Sequence, residues 1–169
     1  DEMGWIEKEE ITLDDKAYRQ APIPSLNEEQ QKAFDEISKT NKTFAAWLLY
    51  GITGSGKTEV YIRLIEEALK KEDAQVLVLV PEINLTPQLE SRFRSRFEKY
   101  TLVTLHSHLT DNERLTHWRL AKEGAAQIVI GTRLSVFTPM PHLSLIIIDE
   151  EHDASFKQQE GLRYHARDV

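Results

Sequence analysis

Gly51-Ile52-Thr53-Gly54-Ser55-Gly56-Lys57-Thr58 fits the phosphate-cradling pattern G-x-x-x-x-G-K-[ST] along its whole length. Its setting matters as much as its letters. Upstream, Ala45-Ala46-Trp47-Leu48-Leu49-Tyr50 is an apolar run of strand length, and downstream Thr58 to Lys71 carries apolar residues at helical spacing. The expectation is a buried strand, a glycine loop and a helix. Gly51, Gly54 and Gly56 put no side chain between backbone and ligand, so successive N–H groups can turn inward on an anion, with Thr53 and Ser55 completing the cradle. The helix start near Lys57 adds its positive dipole end. Lys57 supplies a mobile charge for the outer phosphates of a nucleotide, and the Thr58 hydroxyl suits Mg2+. A glycine-rich turn that merely precedes a helix is the plainer alternative, and the flanking strand and helix argue against it.

Composition narrows the class. The 169 residues are 40% hydrophobic and 29% charged, a globular balance, and no apolar run reaches membrane-spanning length. The start, Asp1-Glu2-Met3-Gly4-Trp5, does not resemble a signal peptide, so a cytoplasmic location without membrane contact is expected. There is no cysteine, which excludes disulfides, thiolate zinc sites and cysteine nucleophiles within these residues. A formal net charge of −7 argues against a broad nucleic-acid surface but leaves room for local basic patches. Beginning at Asp1 and stopping at Val169, the sequence is expected to be a piece of a longer chain.

Residues 1–24 suggest the tail of a preceding domain, with a short strand at Ile11-Thr12-Leu13 and a hinge at Pro22 and Pro24. A domain over 25–169 follows. Its first helix is expected from Asn27 as N-cap, with Gln30 at the capping-box position, to about Lys39. Further strands are expected at Gln75–Val80, Leu102–Leu105, Gln127–Ile130 and Leu143–Ile148. Between them lie a helix from about Asn84 bearing Leu85, Leu89, Phe93 and Phe97, and another over Asp111–Lys122 bearing Leu115, Trp118 and Ala121. Alternating strands and helices on short connections mean an α/β doubly wound, mostly parallel sheet flanked by helices, whose ligands gather beyond the carboxyl ends of the strands.

The last strand runs into Asp149-Glu150-Glu151-His152. An acid at a strand end downstream of a phosphate loop is the expected second ligand of the Mg2+ that Thr58 serves. Glu150 then stands where it can orient the attacking water, and His152 where it can sense the terminal phosphate. Behind them, Phe156, Lys157, Arg163, Tyr164, His165 and Arg167 interleave aromatic and basic side chains, a composition that stacks on bases and neutralises phosphates of single-stranded nucleic acid. A loop with Gln158, Gln159 and Gly161 is equally compatible with plain surface. Arg92, Arg94 and Arg96 are interrupted by acids and read as a solvated helix face.

Together these blocks resemble a family. Asp149-Glu150-Glu151-His152 is a D-E-x-H box, similar to that of superfamily 2 helicases. Tyr50–Tyr61, Val80-Pro81-Glu82-Ile83, Leu105-His106-Ser107, Ile130-Gly131-Thr132-Arg133 and Tyr164–Val169 resemble the PriA family of replication-restart helicases over about residues 25–169. The resemblance implies a RecA-like P-loop fold forming the first of two motor lobes, with ATP and Mg2+ as cofactors. It implies that Gln30 reads adenine, while a plain capping role stays open for the same residue. It implies DNA-backbone contacts at Pro81 and Glu82 and at Thr132 and Arg133. The 156–167 stretch would then couple single-stranded DNA to ATP hydrolysis. Partners implied are single-stranded or forked DNA, primosome proteins and single-strand-binding protein. Zinc is implied only for cysteines outside this sequence, and the transition-state arginine for a second lobe, so these residues are expected to bind nucleotide but to hydrolyse it slowly and not to unwind DNA. The competing classes are another phosphate-loop enzyme and a non-catalytic module. A GTPase would carry Asn-Lys-x-Asp after the loop, whereas Asn41-Lys42-Thr43-Phe44 precedes it; a small-molecule kinase has no need of the D-E-x-H box; and intact Lys57, Thr58, Asp149 and Glu150 speak against a decayed site.

Overall fold

Four short apolar runs pair in one wholly parallel sheet: β1 (Gln75–Leu79), β2 (Leu102–Leu105), β3 (Ile128–Gly131) and β4 (Leu143–Ile148), in the order β2-β3-β1-β4. The computed structural model describes residues 25–40, 43–52, 54–159, 161 and 163–169. The expected tail over 1–24 and the loop residue Thr53 lie outside the described residues. Four helices accompany the sheet: α1 (Glu28–Ser38), α2 (Lys57–Ala68), α3 (Pro87–Arg96) and α4 (Asp111–Lys122).

Parallel strands have their faces covered by crossover helices, which is why β1 is apolar without alternation. Its odd and even residues serve different cores. Val76 and Val78 meet Ile62, Ile65 and Phe93 of α2 and α3 on one face. Leu77 and Leu79 meet Val103, Ala121 and Phe156 on the other. At the amino end of the sheet the fully buried Gln75 spans several elements. Its Nε2 donates to Ala121 O (2.9 Å) and Ala126 O (2.8 Å), and its Oε1 accepts from His142 N (3.1 Å). A buried amide is tolerated when it is satisfied in this way.

Several expectations need correction. The Ala45–Tyr50 run is not a strand: residues 44–50 carry no regular structure, and Trp47, Leu48 and Tyr50 are 50%, 71% and 93% exposed. An apolar run becomes a strand only when its N–H and C=O groups find a partner, and none of the four paired strands receives it. The helix expected from Asn84 starts at Pro87, because Glu82–Asn84 closes a 3-10 turn first. Thr86 Oγ1 caps Leu89 N, and Pro87 sits where a missing N–H is harmless. The helix after the loop stops at Ala68 rather than Lys71, and it also buries Glu59 and Ile62. On α4 only Ala121 is buried; Leu115 and Trp118 face outward. No helix among the described residues is long and apolar enough to cross a membrane.

Candidate functional site

The polar motifs converge at the carboxyl ends of the strands, where a parallel sheet leaves backbone groups and loops unpaired. The glycine loop enters α2 through Gly56, whose φ of +79° is left-handed, as is that of Gly54 at +81°. A Cβ at 56 would also sit 2.4 Å from Gln30 Nε2, so the flexible end of that side chain would have to move. Gln30 lies over the loop because it is held at both ends. Its Oε1 accepts from Asn27 N (2.9 Å) to close the capping box, while its Nε2 donates to Ser55 O (2.9 Å). The capping role and a position on the loop thus coexist in one side chain. Lys57 Nζ donates to Gly51 O (2.5 Å) and Ile52 O (3.0 Å), folding back over the loop it serves.

Across from the loop, Asp149 follows β4 and donates its N–H to Leu79 O (2.9 Å), which fixes the turn to the centre of the sheet. Burial raises the pKa of its carboxyl above the usual carboxylate range, and the Glu150 charge pushes the same way; the Tyr61 hydroxyl, donating to Oδ2 at 3.3 Å, and the charge on Lys57 oppose this. Burial likewise raises Tyr61, with the Asp149 charge adding to it, so the phenol stays a donor. Glu150 adopts a φ of +50°, a conformation that costs a non-glycine residue about 1 kcal/mol or more and is concentrated at functional sites. Glu150 and His152 are both exposed. As a donor set for Mg2+, the Thr58 hydroxyl and the Asp149 carboxylate are hard oxygens, the kind this ion takes one or two of beside water and phosphate. Among the described residues no group of three or more His, Cys, Asp or Glu side chains comes together to hold a metal ion. The residues fit the ion.

The residues expected at DNA are partly drawn together. Arg133 Nη1 donates to Ser155 O (3.1 Å) and Lys157 O (3.2 Å), joining the turn after β3 to the segment behind the acidic box. Thr132 N donates to Leu105 O (3.1 Å). Lys157 bridges His165 in antiparallel fashion, and Gln158 N donates to Tyr164 O (2.8 Å). Arg167 Nη1 bonds Glu151 Oε2 at 2.9 Å, tying that segment to the D-E-x-H turn. Lys157, Arg163 and Arg167 are exposed, and Tyr164 sets its ring edge-to-face on Phe137 at 5.0 Å. Pro81 is buried and Glu82 exposed, its carboxylate accepting from Ser107 Oγ. Phe156 is a correction: it is fully buried in the core beneath β1, so its ring is not free to stack on a base. The arginines of α3 are not simply solvated either. Arg96 reaches Glu59 (3.3 Å) and Glu66 (2.6 Å), and Arg92 reaches Glu59 (3.8 Å), locking α3 to α2. Sequence reasoning passed over Glu59, Tyr61 and Glu151 as site-shaping residues. The spacing of Thr58 and Tyr61, three apart on one helix face, was the available cue.

The chain is similar in sequence to known proteins. The chain is 53% identical over 145 residues to the replication restart protein PriA of Haemophilus influenzae, covering 86% of this chain and 20% of that protein. It is 44% identical over 158 residues to the Bacillus subtilis protein of the same name (92% and 19%), and 47% identical over 169 residues to that of Synechocystis (99% and 20%). The chain therefore spans about a fifth of the length of the curated relatives it matches. Among solved structures, the C-terminal part of the Fun30 ATPase domain is a distant likeness, at TM-score 0.41 and 10% identity over 81% of this chain and 58% of that one. The fold is a RecA-like α/β sheet, and the DEAD/DEAH box helicase model matches residues 27–169, running from the Gln30 helix across the glycine loop to the end of the basic segment, so the chain belongs to the DEAD/DEAH box helicase family.

Proposed function

We propose that the chain is the nucleotide-binding first lobe of an ATP-dependent DNA helicase motor that acts in the cytoplasm in replication restart. The observation that carries this is the pair of ties between the two chemistries: Arg167 to Glu151 of the acidic box, and Arg133 to the backbone at 155 and 157. A segment rich in cationic and aromatic side chains is thereby fastened to the turn that faces the nucleotide loop. In this reading the glycine loop from Gly51 to Thr58 cradles the phosphates, Lys57 releases its loop carbonyls to meet them, and Gln30 recognises adenine. Thr58 and Asp149 hold Mg2+, which when bound offsets charge on the phosphate oxygens. Glu150 orients water, and His152 reports whether the terminal phosphate is present. Lys157, Arg163, Tyr164, His165 and Arg167 hold single-stranded DNA, with Glu82, Thr132 and Arg133 near its backbone, while the buried Pro81 only shapes the turn that presents Glu82. Unwinding, forked-DNA preference, zinc, and contacts with primosome and single-strand-binding proteins belong to a protein longer than these residues, which by themselves bind nucleotide and turn it over slowly.

The test is calorimetric titration of Mg-ADP, Mg-ATP and Mg-GDP into the chain and its Lys57→Ala variant. Adenine nucleotides bind, guanine binds less well, and the substitution weakens binding by about tenfold or more, the effect of losing a charge-assisted contact. Equal binding by the variant defeats the assignment of the loop.

A further inference from the structure

The Tyr61 hydroxyl touches one of the two residues assigned to the metal. It donates to Asp149 Oδ2 at 3.3 Å, and Thr58 lies one helical turn earlier on α2. The ring is almost fully buried, stacked at 6.4 Å on Phe93, so the helix and the core fix where the hydroxyl points. Tyr61 is the side-chain hydrogen-bond partner of the half-buried Asp149 carboxylate. Its own N–H is spent on Leu79, and the neighbouring Glu150 repels it. A carboxylate that must present one oxygen to a cation is left with rotational freedom unless something holds the other, and outer partners of this kind are what orient metal ligands.

We propose that Tyr61 is a positioning residue for the nucleotide-bound Mg2+: its hydroxyl holds the Asp149 carboxylate in the orientation that the ion requires. This rests on the assignment of Thr58 and Asp149 given above. The competing account is that the phenol merely finds a convenient acceptor for a buried donor. The two accounts differ in what they predict for Mg2+. A structural hydroxyl supports the protein equally whether or not the ion is present, whereas a positioning hydroxyl is felt only through it.

The Tyr61→Phe variant removes one oxygen and leaves the ring on Phe93, so the fold is retained, and a thermal melt checks this. ADP affinity is then measured for wild type and variant with excess EDTA and again across a Mg2+ titration. The expected result is the same affinity for both in EDTA. The affinity gained on adding Mg2+ should be smaller in the variant by about fivefold to tenfold, the upper part of the range for an ordinary hydrogen bond, with the half-saturating Mg2+ concentration displaced upward. A variant that gains as much from Mg2+ as wild type, at the same half-saturation, overturns this inference alone. A wild-type chain that binds ADP without any gain from Mg2+ overturns both the inference and the metal assignment beneath it.

Discussion

Two apolar runs of the same length and similar content meet opposite fates. Gln75–Val80 lies in the middle of the sheet with every residue buried, whereas Ala45–Tyr50 lies outside it with Tyr50 almost wholly exposed. What separates them is company. The first is flanked by β3 and β4, with α2, α3 and the Phe156 segment on its faces; the second has no strand beside it among the described residues. The same contrast divides the sheet. β1 and β3 are sealed on both faces, while β4 keeps Leu143 and Ile146 at the surface. Apolar content qualifies a segment for a sheet, and pairing decides whether it joins one.

The contrast can be broken most directly in the sealed half. Phe93→Ala empties a fully buried site between Tyr61 and Phe97, and chemical denaturation should show a loss of about 3–5 kcal/mol. A loss below about 1 kcal/mol would mean that the sealed half is loosely packed after all. A smaller effect is expected at the entrance of α4, where Glu113 and Thr110 form a reciprocal cap. Hydrogen bonds from the Thr110 side chain and backbone lower the pKa of Glu113, so its contribution to stability is present above the unfolded carboxylate value and fades as pH falls through the folded one. Melting curves of Glu113→Gln should fall about 1 °C below wild type at neutral pH and merge with it near about pH 3. The smallest effect is expected on the open side. Leu48→Ser should change stability by less than about 0.5 kcal/mol, and a loss above about 2 kcal/mol would show that this run is buried in solution and that the contrast is not real.

The same logic explains what the sequence disclosed. The interior strands were readable because a parallel strand is apolar on both faces, and that property is local. The order of the motifs then placed the glycine loop and the Asp149 turn at one end of the sheet, since strand ends are where such folds leave room. The Ala45–Tyr50 run misled because pairing is a property of distant residues. Phe156 misled for a related reason: an aromatic within a basic stretch carries no mark of whether it turns outward to a base or inward to Leu77 and Leu79. Helical spacing after the loop marks Tyr61 for the core, which is correct for its ring and silent about its hydroxyl.

The tight approach of Gln30 to Gly56 has a consequence for any other residue at 56. A methyl group at 56 would fall on the end of the flexible Gln30 side chain and move it off Ser55, while the left-handed φ of +79° strains any side chain at 56 whatever the space. In the proposed reading, a side chain at 56 therefore disturbs the phosphate loop and the adenine-reading residue together.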